Sequence, residues 1–167
     1  KHHKANTASA TRPITVLSLL YRLWSKMVTR QILKVWTQRM PASISGFLPG
    51  RSAHGLIYEM QLQLEATNHS YSDSHWGGLT LDIIKCFNTL PQPPLVSILI
   101  HLGVPRPLVL AWMSSIQKVI RYWHIDQQLH EIPPATTGVP EGDAMSVVAM
   151  LGINAFMVSL LEPLTDR

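Results

Sequence analysis

The chain has 167 residues, enough for a domain with a hydrophobic core, and its 46% hydrophobic and 14% charged residues exclude a disordered protein. Its single cysteine, Cys86, excludes an intrachain disulfide and fits a reducing intracellular setting, without distinguishing nucleus from cytoplasm. Residues 1–58, the basic segment, hold nine of the fourteen Lys and Arg and no acid, so they are expected to meet a polyanion such as nucleic acid or to form a solvated surface.

The basic segment is predicted to form a short strand, one complete helix and the start of a second helix. The strand covers Arg12 to Ser18, where Pro13 restricts pairing to an edge or to the first residues. Leu19 to Arg39 predicts a helix because apolar residues recur at helical spacing, and its Met and Trp residues are interpreted as core. The recurring residues are Leu20, Leu23, Trp24, Met27 and Val28. After a loop, Ser52 is predicted to cap a second helix that runs to about Ala66.

Another face of the first helix is basic. It carries four cationic residues, each four positions after the last: Arg22, Lys26, Arg30 and Lys34. Like charges at this spacing repel and mildly destabilise a helix, and a bound phosphate backbone would relieve the repulsion. The sequence therefore predicts a nucleic-acid contact along this face, with a solvated face of a core helix as the alternative.

Asp82 lies in an apolar stretch of strand length, GGLTLDIIKCFNTL, from Gly77 to Leu90. The apolar neighbours favour burial, and a buried carboxylate is costly unless it is paired, hydrogen-bonded or bound to a metal. Asp82 is therefore interpreted either as an acid at the end of a buried strand, where metal ions are often bound, or as a cap at a strand-to-helix turn.

The remainder of the chain is predicted to form helices and a hairpin. Two helices, Pro94 to Leu102 and Pro105 to Lys118, are separated by a glycine. The segments Val119 to Ile125 and Leu129 to Ala135 flank a predicted turn, Asp126-Gln127-Gln128, and indicate a β-hairpin.

A glycine-bearing turn from Thr137 to Met145 precedes the last predicted helix, which Asp143 is expected to cap and which runs to about Leu161. Ala144 to Leu161 carries no charge, so a membrane span is weighed against a core helix. Polar residues within the stretch favour the core helix.

Four short stretches occur in a fixed order along the chain. They are Arg12-Pro13-Ile14, the GFLPGRS stretch Gly46–Ser52, Leu81-Asp82 with Phe87 five positions after the acid, and the GVPEG turn Gly138–Gly142. In this order they resemble the reverse transcriptases of non-LTR (LINE-type) retrotransposons, with group II intron reverse transcriptases close behind. The resemblance implies an α+β (α/β-type) fold, a partial right-hand polymerase in a single domain. Helix-rich fingers would span about 12–75 and an incomplete palm sheet about 76–162.

The same resemblance implies two-metal nucleotidyl transfer, with an RNA template, a DNA primer and dNTPs as partners and no membrane. Asp82 and the backbone carbonyl of Ile83 would bind Mg²⁺, with Mn²⁺ as an alternative. Phe87 would lie beneath the incoming sugar and reject a 2′-hydroxyl. The residues implied at the nucleotide are Arg12, Phe87, Gly138, Pro140, Glu141 and Gly142. The template-side residues are Gly46, Phe47, Gly50 and Arg51.

Three departures from the family pattern lower the expected activity. No Asp-Asp pair, the family's second metal motif, occurs in the chain, and Arg167 precedes the place expected for it. Glu141 stands where the family usually has Gln, and Asp143-Ala144 where it usually has Ser-Pro. The chain is therefore expected to be an inactive fragment that does not stably bind magnesium. Missing palm and thumb segments, or other domains of a larger polyprotein, would be its partners.

Two other classes are weighed against this interpretation. A non-catalytic nucleic-acid-binding remnant of a retroelement needs only the basic segment and not Asp82. A serine hydrolase would use Ser52 in Gly50–Gly55, but the nucleophile-elbow pattern needs glycine at His54.

Overall fold

The computed structural model describes residues 15–69 and 82–165. Its elements, in chain order, are α1 (Leu19–Arg39), α2 (Ala53–His69), α3 (Cys86–Thr89), α4 (Gln92–His101), α5 (Arg106–Lys118), β1 (Arg121–Ile125), β2 (Gln128–Ile132) and α6 (Ala144–Thr165). The described part is thus rich in helix and has a two-stranded antiparallel sheet. This agrees with the α+β class predicted from the sequence.

The core lies where α1, α4, α5 and α6 meet. Helix α6 packs against α1 and α4, and α4 packs against α5. Trp112 of α5 is fully buried, as are Leu95 and Leu99 of α4 and Val148 and Leu151 of α6. Helix α6 therefore contacts both α1 and α4, and α4 connects α5 to this core.

Helix α1 has the predicted bounds, but its apolar face is not the buried one. Trp24 is 37% exposed and Met27 is 70% exposed, so their interpretation as core residues is wrong. Trp36 is buried, as that interpretation expects, and the other buried residues of the helix are the polar Ser25 and Thr29. The reason is that α1 turns polar side chains towards a buried carboxylate at the start of α6, described below.

Helix α2 begins where the sequence predicted, since the backbone N–H of Gly55 donates to Oγ of Ser52 at 3.2 Å. Most of its larger apolar residues are nevertheless exposed. They occur mostly at every second position, which spreads them around a helix instead of along one face. They are Ile57, Tyr58, Met60, Leu62 and Leu64. No single packing contact could therefore bury them all.

The predicted β-hairpin is confirmed, but its turn has two residues where the sequence predicted three, because Gln128 pairs with Ile125 and belongs to β2. Strands β1 and β2 pair antiparallel, with Arg121 opposite Ile132 and Ile125 opposite Gln128. The two turn residues, Asp126 and Gln127, have φ of 48° and 63°. Positive φ at both positions matches a two-residue type I′ hairpin turn, whose twist suits the flanking strands.

The two predicted strands of the polymerase pattern are not found in the described residues. Arg12 and its neighbours through Ile14 lie outside them, and residues 15–18 form no strand. Residues 70–81 also lie outside them, so most of the stretch around Asp82 is undescribed. Asp82 and Ile83 themselves are exposed and lead into α3, so the expected burial of Asp82 is wrong. The physical reason is that no described strand or helix covers this short connection.

Helix α6 is a core helix in its first half. Ala144–Leu161 is long and apolar enough to cross a membrane, with a mean hydropathy of 2.0, and 39% of it is buried in the described fold. Met145, Val148 and Leu151 are buried, whereas Phe156 and Leu160 are exposed. The core-helix prediction is therefore confirmed for the half that contacts α1 and α4.

The backbone of the turn before α6 lies in close contact with α3 at Gly138. A Cβ on Gly138, where φ is +78°, would lie 2.6 Å from the backbone oxygen of Asn88. The backbone N–H of Gly138 donates to Leu90 O, and that of Val139 donates to Phe87 O, both at 2.7 Å. Only glycine gives both the conformation and the close approach.

We expect Gly138→Ala to lower the free energy of unfolding by about 2–5 kcal/mol, from left-handed strain plus the clash with Asn88. Gly50→Ala is the matched control, since Gly50 has φ +76° and no atom lies within 4 Å of the position that a Cβ would take there. The control should lose only about 1–2 kcal/mol. Urea unfolding of both variants measures the difference, and equal losses would contradict the close approach at Gly138.

Candidate nucleic-acid interface

The basic face of α1 borders two clefts. The Phe87 cleft has a volume of about 450 Å³ and lies between the first half of α1, α3 and the start of α6. Its lining residues are Leu19, Arg22, Leu23, Lys26, Phe87, Gly142, Asp143, Ala144 and Val147. The Pro49 cleft has a volume of about 510 Å³ and lies between the second half of α1 and the GFLPGRS loop. Its lining residues are Arg30, Gln31, Lys34, Thr37, Gln38 and Pro49.

Phe87, which is predicted to contact the incoming sugar, and the GVPEG turn, which is predicted to contact the nucleotide, meet in the Phe87 cleft. Phe87 is half-buried on α3, and its carbonyl accepts the backbone N–H of Val139. Gly142, the last residue of the GVPEG turn, also lines the cleft. The structure thus brings together Phe87 and Gly142, which are far apart in the sequence, and adds Arg22 and Lys26 to them.

The buried side chain of Gln92 holds the turn by a hydrogen bond to its backbone. Gln92, which is 2% exposed, donates from Nε2 to the carbonyl oxygen of Gly138 at 2.9 Å. Its Oε1 accepts from Gln117 Nε2 at 3.0 Å. Gly138 and Pro140 are themselves buried, so they shape the turn, whereas Gly142 is exposed on the cleft side.

The side chain of Asp143 anchors the turn to three helices. Its carboxylate is 4% exposed. Oδ2 accepts from Tyr21 Oη at 2.9 Å and from Trp112 Nε1 at 2.8 Å. Oδ1 accepts from Ser25 Oγ and from the backbone N–H of Met145 at 3.2 Å. The predicted helix cap is therefore confirmed, and the same carboxylate also ties α1 and α5 to the start of α6.

The donors in this network are neutral, so hydrogen bonds stabilise the buried carboxylate without an ion pair to it. The Ser25 hydroxyl also accepts the Met145 N–H at 3.1 Å. Burial, and then the negative charge of Asp143, raise the pKa of Tyr21 far above its usual value. The Tyr21 hydroxyl consequently remains protonated and donates to the carboxylate.

Sequence reasoning identified Asp143 as a helix cap but missed its contacts with other helices. The available signal was a pair of polar residues, Tyr21 and Ser25, one helical turn apart on α1. Thr29 continues that polar stripe and is also buried. The partner of the stripe could not be identified, because Asp143 is 118 residues from Ser25 in the sequence.

The guanidinium group of Arg51 donates hydrogen bonds to four backbone carbonyls. Its Nη1 donates to the carbonyls of Pro41 and Ile44, and its Nη2 to those of Thr37 and Met40 at 3.0 and 2.9 Å. These bonds satisfy carbonyl groups at and just beyond the C-terminal end of α1. The terminal N–H groups of Arg51 are thus directed at the backbone, and its predicted contact with nucleic acid stays a prediction.

The rest of the GFLPGRS loop presents one aromatic side chain. Phe47 is 60% exposed and has φ of 60°, an uncommon conformation for a residue with a side chain. Its neighbour Leu48 is 3% exposed and belongs to the core. Gly46 and Gly50 are exposed, with open space around them. The buried Leu48 therefore fixes the loop and leaves Phe47 outside.

The acidic residues predicted at the metal and nucleotide sites, Asp82 and Glu141, do not form a cluster with other acids in the described residues. Asp82 is exposed. Burial of the nearby Cys86 thiol raises its pKa, and the negative charge of Asp82 raises it further. In residues 15–69 and 82–165 no group of three or more His, Cys, Asp or Glu residues could hold a metal ion. Glu141 is half-buried, and its backbone carbonyl accepts the N–H of Thr15 at 3.1 Å. The described residues supply Asp82 as a lone carboxylate ligand at the predicted metal site.

Ser52 acts as a helix cap in this structure. Its hydroxyl oxygen accepts the backbone N–H of Gly55, which is the bond expected of a capping serine. This contact explains the serine without a hydrolytic role.

A family model described as reverse transcriptase (RNA-dependent DNA polymerase) matches residues 2–167. No curated protein and no solved structure matches the chain. The matched region includes both clefts and the Asp143 network.

We expect Asp143→Asn to lower the free energy of unfolding by about 2–5 kcal/mol. The amide nitrogen must replace one carboxylate oxygen, and each of these oxygens accepts two of the hydrogen bonds from Tyr21, Ser25, Trp112 and Met145. Asp126→Asn, in the exposed hairpin turn, is the control and should change stability by less than about 0.5 kcal/mol. Chemical denaturation measures both, and a negligible loss for Asp143→Asn would refute the anchoring role of its carboxylate.

Proposed function

The chain belongs to the reverse transcriptase (RNA-dependent DNA polymerase) family, and we propose that it is the fingers and part of the palm of a LINE-type enzyme related to those of group II introns. The fingers would span about 12–75 and the palm about 76–162. The observation that carries this proposal is the meeting of Phe87, Gly142 and the basic face of α1 at one cleft. Reverse transcriptases act on nucleic-acid templates and dNTPs, and this cleft combines the chemistry that both require.

The basic face of α1 is proposed to bind nucleic acid. Arg22, Lys26, Arg30 and Lys34 are all exposed, and they lie on consecutive turns of one helix. Phosphate contacts of this kind position a duplex without reading its sequence. The exposed Phe47, beside Gly46 and Gly50, would add a template-side contact near the Pro49 cleft.

The Phe87 cleft is proposed to receive the incoming nucleotide. Phe87 would lie against the sugar, and Gly142 would allow a close backbone approach because it has no side chain. The buried Gly138 and Pro140 support this turn, and Glu141 adds an acid to it. Arg12, outside the described residues, would contact the triphosphate.

The residues present fit a magnesium site only in part. Asp82 is exposed, so its carboxylate and the carbonyl of Ile83 would be free to coordinate Mg²⁺ or Mn²⁺ together with nucleotide phosphates and water. When bound in pairs, such ions stabilise the attacking and leaving oxygens of phosphoryl transfer. The described residues lack the further carboxylates that a second ion requires, so we derive no catalytic step for this chain.

We further propose that the chain, as it stands, binds nucleic acid without extending a primer. Loss of an essential metal ligand raises the activation free energy by several kcal/mol. Each increase of about 1.4 kcal/mol lowers the rate tenfold. A non-catalytic remnant of a retroelement would behave in the same way, and the part of the chain that the structure describes supports it by supplying Asp82 as the one carboxylate at the predicted metal site.

We expect the purified chain to bind a short RNA–DNA primer-template with an affinity that falls steeply as salt rises, because cations released from the phosphates drive the binding. Changing Arg22, Lys26, Arg30 and Lys34 together to Gln should lower the slope of log affinity against log salt by about 4, or about 1 for each lost contact. Fluorescence anisotropy across a salt series measures it.

The control for this experiment changes Arg106 and Lys118 to Gln, since both are exposed on α5 and away from the two clefts. That control should leave the salt slope unchanged. A flat salt response of the wild-type chain, or a quadruple variant with wild-type affinity, would contradict nucleic-acid binding by α1.

We expect no primer extension by this chain with magnesium or manganese in a standard assay on an RNA template. The expected result is no product above background, since among residues 15–69 and 82–165 Asp82 is the lone carboxylate at the predicted metal site. Product that disappears in Asp82→Asn would refute the proposal of inactivity. It would also show that other residues complete the metal site.

A further inference from the structure

The hairpin of β1 and β2 lies apart from the core helices. In residues 15–69 and 82–165, β1 and β2 pack extensively only on each other. Tyr122 is 54% exposed and its neighbour Trp123 is 41% exposed. Neighbouring residues of a strand point to opposite faces, so neither face of β1 is covered at these positions. An isolated two-stranded hairpin is only marginally stable in water, and further strands in its sheet would stabilise it.

The register of the hairpin indicates which backbone groups of β1 point outwards. Ile125 and Gln128 flank the two-residue turn, so they exchange backbone hydrogen bonds as the ends of such a turn do. Hydrogen-bonded and non-hydrogen-bonded pairs alternate along an antiparallel ladder. Tyr122 and His124 therefore belong to non-hydrogen-bonded pairs, and their N–H and C=O groups point away from β2. Outside the hairpin, no described residue makes a backbone hydrogen bond to either of them.

The two edges of this sheet differ in their protection against further pairing. Charged side chains and prolines protect an edge strand. The edge of β2 has both, since Glu131 lies within the strand and Pro133 directly follows it. The edge of β1 has neither at residues 122–124, and the charged Arg121 donates from Nη2 to the carbonyl of Ile116 in α5 at 3.3 Å. The edge of β1 is therefore the one open to another strand.

The sequence of β1 is complementary to itself when two copies run antiparallel. With Trp123 opposite Trp123 of a second copy, Tyr122 of each copy stands opposite His124 of the other. Both residues of this pair have outward-pointing groups, so the pair can exchange both of its backbone hydrogen bonds. Arg121 then stands opposite Ile125, so no like charges face each other across the new pairing.

The ring side chains in this pairing share one face of the sheet. Trp123 already pairs with His130 within the hairpin. Across the two-fold axis, the order of rings would be His130, Trp123, Trp123 and His130. Aromatic cross-strand pairs stabilise a sheet, and a non-hydrogen-bonded pair, such as the two Trp123 residues, brings its side chains closest together.

We propose that the chain forms a homodimer by antiparallel pairing of β1 with β1 of a second copy, with Trp123 at the two-fold axis. The product is a four-stranded sheet in the order β2, β1, β1, β2, whose outer edges are the protected ones. A two-fold interface of this kind is closed, so assembly stops at two copies. This inference goes beyond the proposed function, since no residue of the hairpin lines the Phe87 cleft or the Pro49 cleft.

The first test uses proline to remove an outward N–H group from the full chain. His124→Pro and Leu129→Pro are a matched pair, since these residues stand opposite each other in the hairpin and both of their N–H groups point outwards. Proline is tolerated at edge positions whose N–H faces solvent, so both variants are expected to keep the hairpin. His124→Pro changes the edge of β1, whereas Leu129→Pro changes the edge of β2.

We expect sedimentation velocity to show the wild-type chain passing from monomer to dimer as its concentration is raised into the high micromolar range. His124→Pro should weaken the dimer by about tenfold or more, since a backbone hydrogen bond is lost from each symmetric pair. Leu129→Pro should leave the dimer dissociation constant within about threefold of wild type. A wild-type chain that stays monomeric, or two variants with equal effects, would overturn the proposal.

A disulfide tests the register independently of the proline variants. In a chain with Cys86→Ser, Trp123→Cys would place one thiol of each copy directly across the two-fold axis, where the side chains of a non-hydrogen-bonded pair are close enough to be bridged. Tyr122→Cys in the same background is the control, because residue 122 stands opposite residue 124 and not opposite itself. Oxidised glutathione serves as the oxidant and is reduced as the disulfide forms.

We expect a cross-linked dimer on a non-reducing gel for Trp123→Cys and only monomer for Tyr122→Cys. Equal cross-linking of the two variants would overturn the proposed register. Absence of a cross-linked dimer from both variants would overturn the pairing of β1 with itself.

Discussion

The buried carboxylate of Asp143 is the interaction on which the arrangement of this fold depends. It receives hydrogen bonds from α1 and α5 and from the first turn of α6, so it joins three helices at one point. A carboxylate without these donors would be too costly to bury, and the buried Trp112 N–H would lose its acceptor without the carboxylate. The carboxylate and its donors therefore depend on each other, and the three helices approach in the orientation that completes this hydrogen-bond network.

This constraint also explains the shape of the candidate interface. Because Tyr21 and Ser25 face Asp143, the neighbouring Arg22 and Lys26 lie at the edge of the contact, where they remain exposed beside Gly142. The turn before Asp143 is held from its other side by α3 and Gln92. The Phe87 cleft is thus bounded by parts that the buried network and the turn contacts hold in place.

The described part of the chain also exposes much apolar surface. Leu20 on α1, Ile57 on α2, Ile84 before α3 and Leu160 on α6 are each more than half exposed. A composition of 46% hydrophobic residues with 14% charged residues is consistent with this surface, since such a chain has too few charged side chains to cover it.

The sequence by itself determined the local structure of this protein. The bounds of α1, the Ser52 and Asp143 caps and the presence of the β-hairpin follow from interactions between residues only a few positions apart. The order of short motifs was enough to indicate the family. The same information could state that α1 has a basic face, because helical periodicity is local.

Only the tertiary structure decided how those elements are used. The buried side of α1 carries Ser25, and not Met27, because its partner is a carboxylate 118 residues away. Arg51 binds carbonyls at the end of α1, and the basic face is divided between two clefts. Each outcome depends on which distant groups meet and satisfy one another's hydrogen bonds, and that information is not carried by the spacing of residues along the chain.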